Sequence, residues 1–375
     1  MTQAFDICIR GDGIVGRTLA LLLARERLHV GLVLPAASSA QGAAPRPSDV
    51  RAYALNAKSR SLLESLRCWP DARHATEVLR MQVKGDDGGE VNFSATELGV
   101  AGLTWIVDVP GLEAQLAEAV RFAPQIERLD APQGAALTVI CEGRSSSTRA
   151  EFGIDFQVTP YPQRAIAARL SCERPHGQTA RQWFSQGEIL AFLPLDGPQG
   201  NSVAIVWSVK EDHAQELLDD EASVFCQKIE AASQGCLGAL SLISERSAWP
   251  LQMAHAQRWG GVHAGKAWAL AGDAAHNVHP LAGQGLNLGL ADVASLAKVL
   301  HEREYWRAVG DEKLLRRYER SRKAEVATMS ATMDSLQQLF WHSGAPWQAV
   351  RNWGMNGFER SGMLKQWVAR QAMGF

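Results

Sequence analysis

Apolar positions along this chain switch between two periods. They form a short strand-like run at 5–9, fall on one helical face at Leu19, Leu22 and Leu23, and run together again at 29–34. Between the first run and the helix stand Gly11, Gly13 and Gly16. Strand, glycine turn, helix and strand is the order of a mononucleotide-binding unit. Asn56 is placed to cap a helix over 57–66, Pro110 opens another that runs to about 122, and 137–141 returns as a buried strand. The pieces 81–84 and 91–93 flank an Asp-Asp-Gly-Gly turn and predict a hairpin. Strand-like runs at 166–170, 181–184, 189–194 and 202–209 predict an antiparallel platform, followed by a helix over 211–232. From 286 the pattern is helical. Over 311–340 the apolar positions are Leu314, Leu315, Tyr318, Val326, Met329 and Met333.

Length and composition narrow the picture. The 375 residues exceed one typical core and predict two or three domains. A hydrophobic fraction of 46% with 21% charged residues is that of an ordinary globular α/β chain. The formal charge of -2 leaves no surplus for a polyanion, so nucleic acid is not an expected partner. No apolar run approaches a bilayer span and no basic-then-apolar leader precedes the first strand, so a cytoplasmic location is expected. The six cysteines show neither close pairing nor metal-ligand spacing, and no paired-histidine helix motif is present. No metal is expected. A serine-hydrolase elbow is also missing.

The chemistry concentrates in two places. In the turn Gly11, Gly13, Gly16, the first glycine permits the bend, the second lets backbone N–H groups approach a diphosphate, and the third permits close helix packing. Asp12 puts a carboxylate beside that diphosphate. The second strand ends in Leu34-Pro35, where such sites present an acid to the adenosine ribose. The second place is 268–290, a buried strand, an acidic turn, a glycine-lined loop and a helix start. Asp273 follows Gly272 and can accept hydroxyls of a polyol chain. Gly283, Gln284 and Gly285 aim helix N–H groups at an electron-rich ring. A flavin has both a ribityl chain and a ring that is anionic when reduced, so the pair of sites fits FAD, whereas bare NAD leaves the second without a task.

With these motifs the chain resembles the single-component FAD-dependent aromatic hydroxylases, especially those of ubiquinone biosynthesis. The run G-D-A-A-H at 272–276 with P-L-A-G-Q-G-L-N at 280–287 is the most specific part. G-E-I-L-A-F-L-P-L at 187–195, Arg316 to Lys323 and the tail at 370–374 extend the likeness over nearly the whole chain. The resemblance implies an α/β fold in which a Rossmann-like FAD domain of the glutathione-reductase type (1–75, 100–155, 255–310) interleaves with an antiparallel-sheet substrate domain (76–99, 156–254), followed by a helical region (311–375). It assigns the FAD to Gly11, Gly13, Gly16, Arg51, Glu142, Gly272, Asp273, Pro280, Gly283, Gln284, Gly285, Leu286 and Asn287. Pro280, Leu281, Gly283 and Gly285 shape the flavin-facing wall, and Phe192, Leu193, Pro194 and Trp207 are candidates for the substrate wall.

The implied reaction uses NADH or NADPH as a transient reductant and oxygen through a flavin hydroperoxide to hydroxylate a phenol, here one with a polyprenyl tail. Other ubiquinone-biosynthesis proteins, a peripheral membrane contact or a second copy of the chain are further expected partners. A related oxidoreductase on a small soluble aromatic and a non-catalytic assembly factor are the alternatives. The second draws on departures from the family pattern: Leu34 where the ribose acid is usual, Glu142 in place of an aspartate in the central motif, and Val109 where an asparagine is common; Arg10 in an apolar strand position is a further departure. His276 is expected to fix its loop through backbone hydrogen bonds; His279 receives no role. Arg316, Arg317, Arg320, Arg322 and Lys323 read as an exposed basic helix face, and the tryptophans from 341 onward as apolar surface.

Overall fold

A computed structural model describes residues 5–34, 49–85, 88–277 and 285–341, with 359, 361 and 362; within 329–341 only the backbone is described. The apolar run near the N-terminus becomes the strand Phe5–Arg10, paired in parallel with Val30–Val33 on one side and Ala135–Ile140 on the other. Ile126–Leu129 extends the sheet beyond Val30–Val33, and Lys266–Leu270 then Gly260–His263 extend it beyond Ala135–Ile140. Ile7, Ile9, Leu137, Val139, Ala269 and Leu270 are fully buried, because a parallel sheet is covered on both faces and needs apolar residues at successive positions. The helix Ile14–Arg25 packs on this sheet and against the helices Val109–Arg121 and Gly285–His301.

The platform is larger than its sequence pattern suggests. Its strands run His276–Asn277, Ser247–Ala256, Phe156–Cys172, Ser202–Lys210, Glu188–Leu195, Thr179–Ser185, Arg80–Lys84 and Glu90–Ser94, with Leu240–Leu242 alongside Phe156–Cys172. All neighbours are antiparallel except Thr179–Ser185 with Arg80–Lys84, which pair in parallel. The hairpin at 80–94 thereby adds to the sheet from an earlier part of the chain. Phe156–Cys172 has 17 residues, with a register irregularity between Pro160 and Arg164 where prolines interrupt the ladder. A three-stranded sheet of Ala52–Leu55, Thr104–Asp108 and Ala75–Val78 packs on the platform through Ala52, Val78, Ile106, Ala180, Leu195 and Ala204.

Two helix expectations are corrected. The stretch 211–232 is two helices, Glu211–Asp219 and Ala222–Ala232, because Asp220 and Glu221 adopt extended backbone with ψ of 148° and 153°. The exposed basic face of Glu312–Trp341 holds for Arg316, Arg317 and Arg320 but not for Arg322, which is turned inside. Arg316 bonds Glu312 at 2.8 Å, Arg317 bonds Glu302 at 2.6 Å, Lys323 pairs with Glu319, and Arg322 is only 2% exposed. Met329, Met333 and the tryptophans from 341 onward have side chains outside the described residues.

Close backbone approach fixes the glycine turn. A Cβ on Gly16 would sit 1.9 Å from the Gly11 carbonyl oxygen. Gly16→Ala is expected to lower folding stability by about 3 kcal/mol, since the clash is with backbone and can be relieved only by moving strand from helix. Urea denaturation checks it; an unchanged midpoint and slope would show that this approach is not tight.

Candidate active site

The first turn of Ile14–Arg25 carries the local chemistry of an anion site. Gly11 has φ +110°, a region closed to side chains, and a Cβ there would meet the Cys141 carbonyl oxygen at 2.5 Å. Gly13 faces open space, with nothing within 4 Å of a Cβ. It is the N-cap residue and has no side chain to satisfy the helix N–H groups. Two neighbouring helices differ: Asn56 accepts from Ser59 N–H and Asp108 from Gly111 N–H. The starts of all three helices line the cavity, through Gly13, Asn56 and Val109, and of these the uncapped one leaves its N–H groups for a guest. Asp12 does not stand bare beside it, because Arg17 Nη2 lies 3.0 Å from its carboxylate while Arg17 Nη1 donates to the Glu113 carbonyl.

The second half of the site comes from the other end of the chain. Lys266–Leu270 leads into a 3-10 turn, Gly272–Ala274, where Gly272 takes φ +64°. Val15, one residue inside the first helix, fits between Gly272 and Gly289. A Cβ on either glycine would stand 3.3 Å or 2.9 Å from its Cγ2. The glycine turn and the acidic turn are therefore in direct contact. Asn287 ties the helix start to the segment 54–59: its amide donates to the Ala54 carbonyl at 2.8 Å, and its oxygen accepts from Asn56 N–H at 3.0 Å and the Ser59 hydroxyl at 2.7 Å.

Under this loop lies a buried polar cluster. Asp292 Oδ2 accepts from Gly272 N–H at 2.9 Å and is 2.7 Å from His276 Nε2, while Oδ1 is 2.8 Å from Arg322 Nε. Trp259 stacks on His276 with centroids 4.7 Å apart. Tyr318 donates to the Leu270 carbonyl at 2.7 Å. Burial alone would raise the Asp292 carboxyl, but His276 and Arg322 outweigh it and hold the group below the ordinary carboxylate range. The His276 ring thus fixes its loop through a carboxylate, while the His276 backbone pairs with His255 at the platform edge. Arg149 adds a second brace, donating to the carbonyls of Ala274 at 3.2 Å and Gly143 at 3.3 Å over the Phe156 ring.

One cavity of about 490 Å³ joins these parts. Gly13, Arg51, Gly143, Arg144, Asp273, Gly285 and Leu286 line it, and the platform forms its floor. Burial raises the Asp273 carboxyl above its ordinary value. Arg51 is held by Asp49 and donates to the Tyr53 hydroxyl at 3.1 Å. Glu142 lies outside the lining, bonded to Ser146 at 2.7 Å and Thr148 at 2.6 Å, with Arg10 Nε 3.4 Å from it. His279, Pro280, Leu281, Gly283 and Gln284 lie outside the described residues. Of the four candidates for the substrate wall, Leu193 lines the cavity. Phe192 and Trp207 turn to the opposite face, into the core with Phe225 and Ile229, because neighbouring residues on a strand alternate faces. Pro194 is not among the lining residues; Ala191, Val206 and Ser208 are.

Asp292, Arg322, Tyr318 and Val15 were not singled out as site residues. Their signal was present: Arg322 fills the gap between Tyr318 and Val326 in the apolar stripe of its helix, and Asp292 interrupts an otherwise apolar helix. Removing the cation by Arg322→Met is expected to cost about 3–5 kcal/mol, because it leaves a buried charge without its partner. Chemical denaturation reads the loss; a cost under about 1 kcal/mol would mean that the pair is not a structural centre. The depressed carboxyl of Asp292 contributes stability that is complete above its unfolded value, about 3.9, and is lost as pH falls through the lower folded value. Asp292→Asn is expected to flatten the fall of stability below about pH 4, and an acid titration followed by circular dichroism checks it.

The comparisons agree with this arrangement. A family model described as an FAD binding domain matches residues 126–332. The chain is 31% identical over 396 residues to the 3-demethoxyubiquinol 3-hydroxylase of Escherichia coli, covering 99% of each chain. It is 30% identical over 398 residues to the ubiquinone hydroxylase UbiL of Rhodospirillum rubrum, covering 98% of this chain and 89% of the relative. Among solved structures, the p-nitrophenol 4-monooxygenase PnpA of Pseudomonas putida superposes with a TM-score of 0.74 at 16% identity, over 100% of this chain and 99% of that one. PqsL of Pseudomonas aeruginosa, in complex with 2-aminobenzoylacetate, gives 0.74 at 21% identity, over 94% and 99%. These last two likenesses speak for the fold.

Proposed function

This chain belongs to the FAD-dependent aromatic hydroxylases related to those of ubiquinone biosynthesis, and from that premise we propose that its substrate is a phenol bearing a polyprenyl tail and its reductant NADH or NADPH. It is an FAD-dependent monooxygenase acting on an aromatic ring. The single observation that carries the finer reading is the continuity of the cavity from Gly13 and Asp273 over the apolar floor of the platform. FAD supplies the electron transfer and oxygen activation when bound, and the chain supplies its position and a dry site.

The residues present fit that cofactor. The uncapped helix start at Gly13 offers N–H groups to a diphosphate, and Arg51 and Arg144 add positive charge on the same wall. Asp273 is placed to accept ribityl hydroxyls. Gly285 and Leu286, at the start of Gly285–His301, stand at the ring end of the cradle with Pro280, Leu281, Gly283 and Gln284 before them in the chain, and Asn287 anchors that start. Glu142 acts through the segment 143–149 that it braces. Over the platform, Ala191, Leu193 and Val206 keep water from the reacting ring and orient it by shape. Among the described residues no helix is long and apolar enough to cross a membrane. A tailed phenol resides in a bilayer, so peripheral contact from the cytoplasmic side belongs to the same reading.

A visible spectrum of the purified protein supplied with FAD, followed by NADH or NADPH with and without a prenylated phenol, tests this. Bound flavin whose bleaching is accelerated by the phenol is expected, with hydroxylated product when oxygen is admitted. A protein that stays colourless after FAD is supplied would sink it. Gly13→Ala is expected to fold normally, since φ at Gly13 is -71° and its Cβ meets nothing. It should nevertheless weaken FAD by about tenfold or more, because the methyl group holds a phosphate away from charge-assisted donors. Flavin fluorescence titration measures the change.

A further inference from the structure

One side chain of the platform reaches out of its own sheet and into the cavity wall that carries Arg51. Arg169 stands within Phe156–Cys172, two residues from Ala167, so the two side chains leave the same face of the strand. Ala167 lines the cavity. The backbone of Arg169 is fixed on both sides: it is the register partner of Ala204, its N–H donates to the Ser244 hydroxyl at 2.8 Å, and its carbonyl accepts from Ile243 N–H at 2.9 Å. From this rigid base the guanidinium meets oxygens of two other segments. Nε donates to the Val50 carbonyl at 3.2 Å, while Nη2 faces the carbonyls of Asp49 at 3.2 Å and Arg51 at 3.4 Å and the carboxylate of Asp108.

The segment 49–51 comes just before the strand Ala52–Leu55 and outside its ladder, which begins with Ala52 opposite Asp108. Its carbonyls need donors from elsewhere, and Val50 is buried. Arg169 supplies such donors from the platform. The line of contacts then continues to the cavity. Both carboxylate oxygens of Asp49 accept from Arg51 Nε, at 2.9 Å and 3.0 Å, and Arg51 Nη1 donates to the Tyr53 hydroxyl at 3.1 Å. Arg51 and Tyr53 line the cavity. Burial alone would raise the Asp49 carboxyl, but hydrogen bonds from Arg51 and the charges of Arg51 and Arg169 hold it below the ordinary carboxylate range. Asp108, at the far side of Arg169, caps Val109–Arg121. Charge thus alternates along Arg51, Asp49, Arg169 and Asp108, and each cation is directed by the acid that meets it.

We propose that Arg169 is a positioning residue for the cofactor: it holds the segment 49–51 from the platform and thereby fixes where the Arg51 guanidinium stands on the cavity wall. This rests on the reading above that Arg51 adds its charge to the wall that meets the FAD diphosphate. Arg169 is not among the residues lining the cavity, so its effect on FAD passes through Asp49 and Arg51. The planar fork of an arginine suits the task, because one side chain must serve several fixed oxygens at once, which a lysine ammonium on a flexible stem does not.

A double-mutant cycle on FAD affinity, read by flavin fluorescence titration, tests the path. Arg51→Met and Arg169→Met are each expected to weaken FAD by about tenfold. The double variant is expected to bind within about twofold of the weaker single one, because both changes remove the same oriented charge. Arg169→Lys is expected to stay closer to Arg169→Met than to the unmodified protein, since the charge remains and the fork is lost; it takes the place of Arg169→Met in the cycle if that variant lacks a cooperative melt. Effects that multiply to about a hundredfold in the double variant would overturn the proposal, for they would mark a general loosening of the fold rather than action through Arg51. So would FAD affinity within about twofold of the unmodified protein in a cooperatively melting Arg169 variant while Arg51→Met binds weakly; that outcome leaves the reading of Arg51 intact. Full FAD affinity in Arg51→Met rejects Arg51 as a cofactor residue, and the role of Arg169 falls with it.

Discussion

The buried carboxylate of Asp292 has both oxygens committed, and the geometry of the cofactor cradle depends on it. One oxygen takes the Gly272 N–H and faces His276; the other faces Arg322. These partners come from the acidic turn, the short strand His276–Asn277 and the long helix Glu312–Trp341, while Asp292 itself stands on the helix Gly285–His301. In a buried site each bond is strong, and an unmet partner is costly. The acidic turn therefore cannot move without disturbing the long helix. Val15 extends the constraint, because Gly272 and Gly289 both close on it. A guest that needs its diphosphate and its ring held at a fixed separation meets one rigid body.

The same logic accounts for residues that depart from the family pattern. Arg10 occupies an apolar strand position and Glu142 replaces a shorter acid, and the two face each other across 3.4 Å, with Glu151 taking a further Arg10 nitrogen at 2.6 Å. The longer glutamate reaches Ser146 and Thr148 at the start of a short helix, and Arg149 of that helix braces the loop at Ala274. Two substitutions that look like losses one at a time form one support together. Asp12 follows a similar rule: its charge is met by Arg17 one helical turn on, so the anion site beside it is not repelled.

Much of the fold was legible because backbone sterics and burial write directly into residue type. Gly11, Gly13 and Gly16 differ in what surrounds them, and a strand before and a helix after are enough to infer that difference. The direction of a strand's faces is harder to read. The run 189–195 is apolar throughout, so its pattern contains no alternation to say that Leu193 meets the cavity and Phe192 the helices. Arg322 is obscured for a different reason. Flanked by Arg320 and Lys323, it looks like part of a charged face, and only its helical spacing from Tyr318 and Val326 places it inside. The partner that makes its burial tolerable is thirty residues away in sequence, and no local pattern reports it.

The two faces of the platform divide stability from function. Trp183 and Phe192 meet with centroids 4.9 Å apart, and with Trp207 and Phe225 they fill the helix side. Dense packing there lets the opposite face keep small residues such as Ala167 and Ala191 beside the cavity without loss of the sheet. Space beside small residues carries a cost of its own, since atoms lining a void forgo dispersion contacts on one side. That cost is offset when a guest fills the space, and a ligand that binds only the folded state stabilises it in proportion to the logarithm of its saturation. The cofactor and the ring substrate thus complete a core that the chain leaves open along one face.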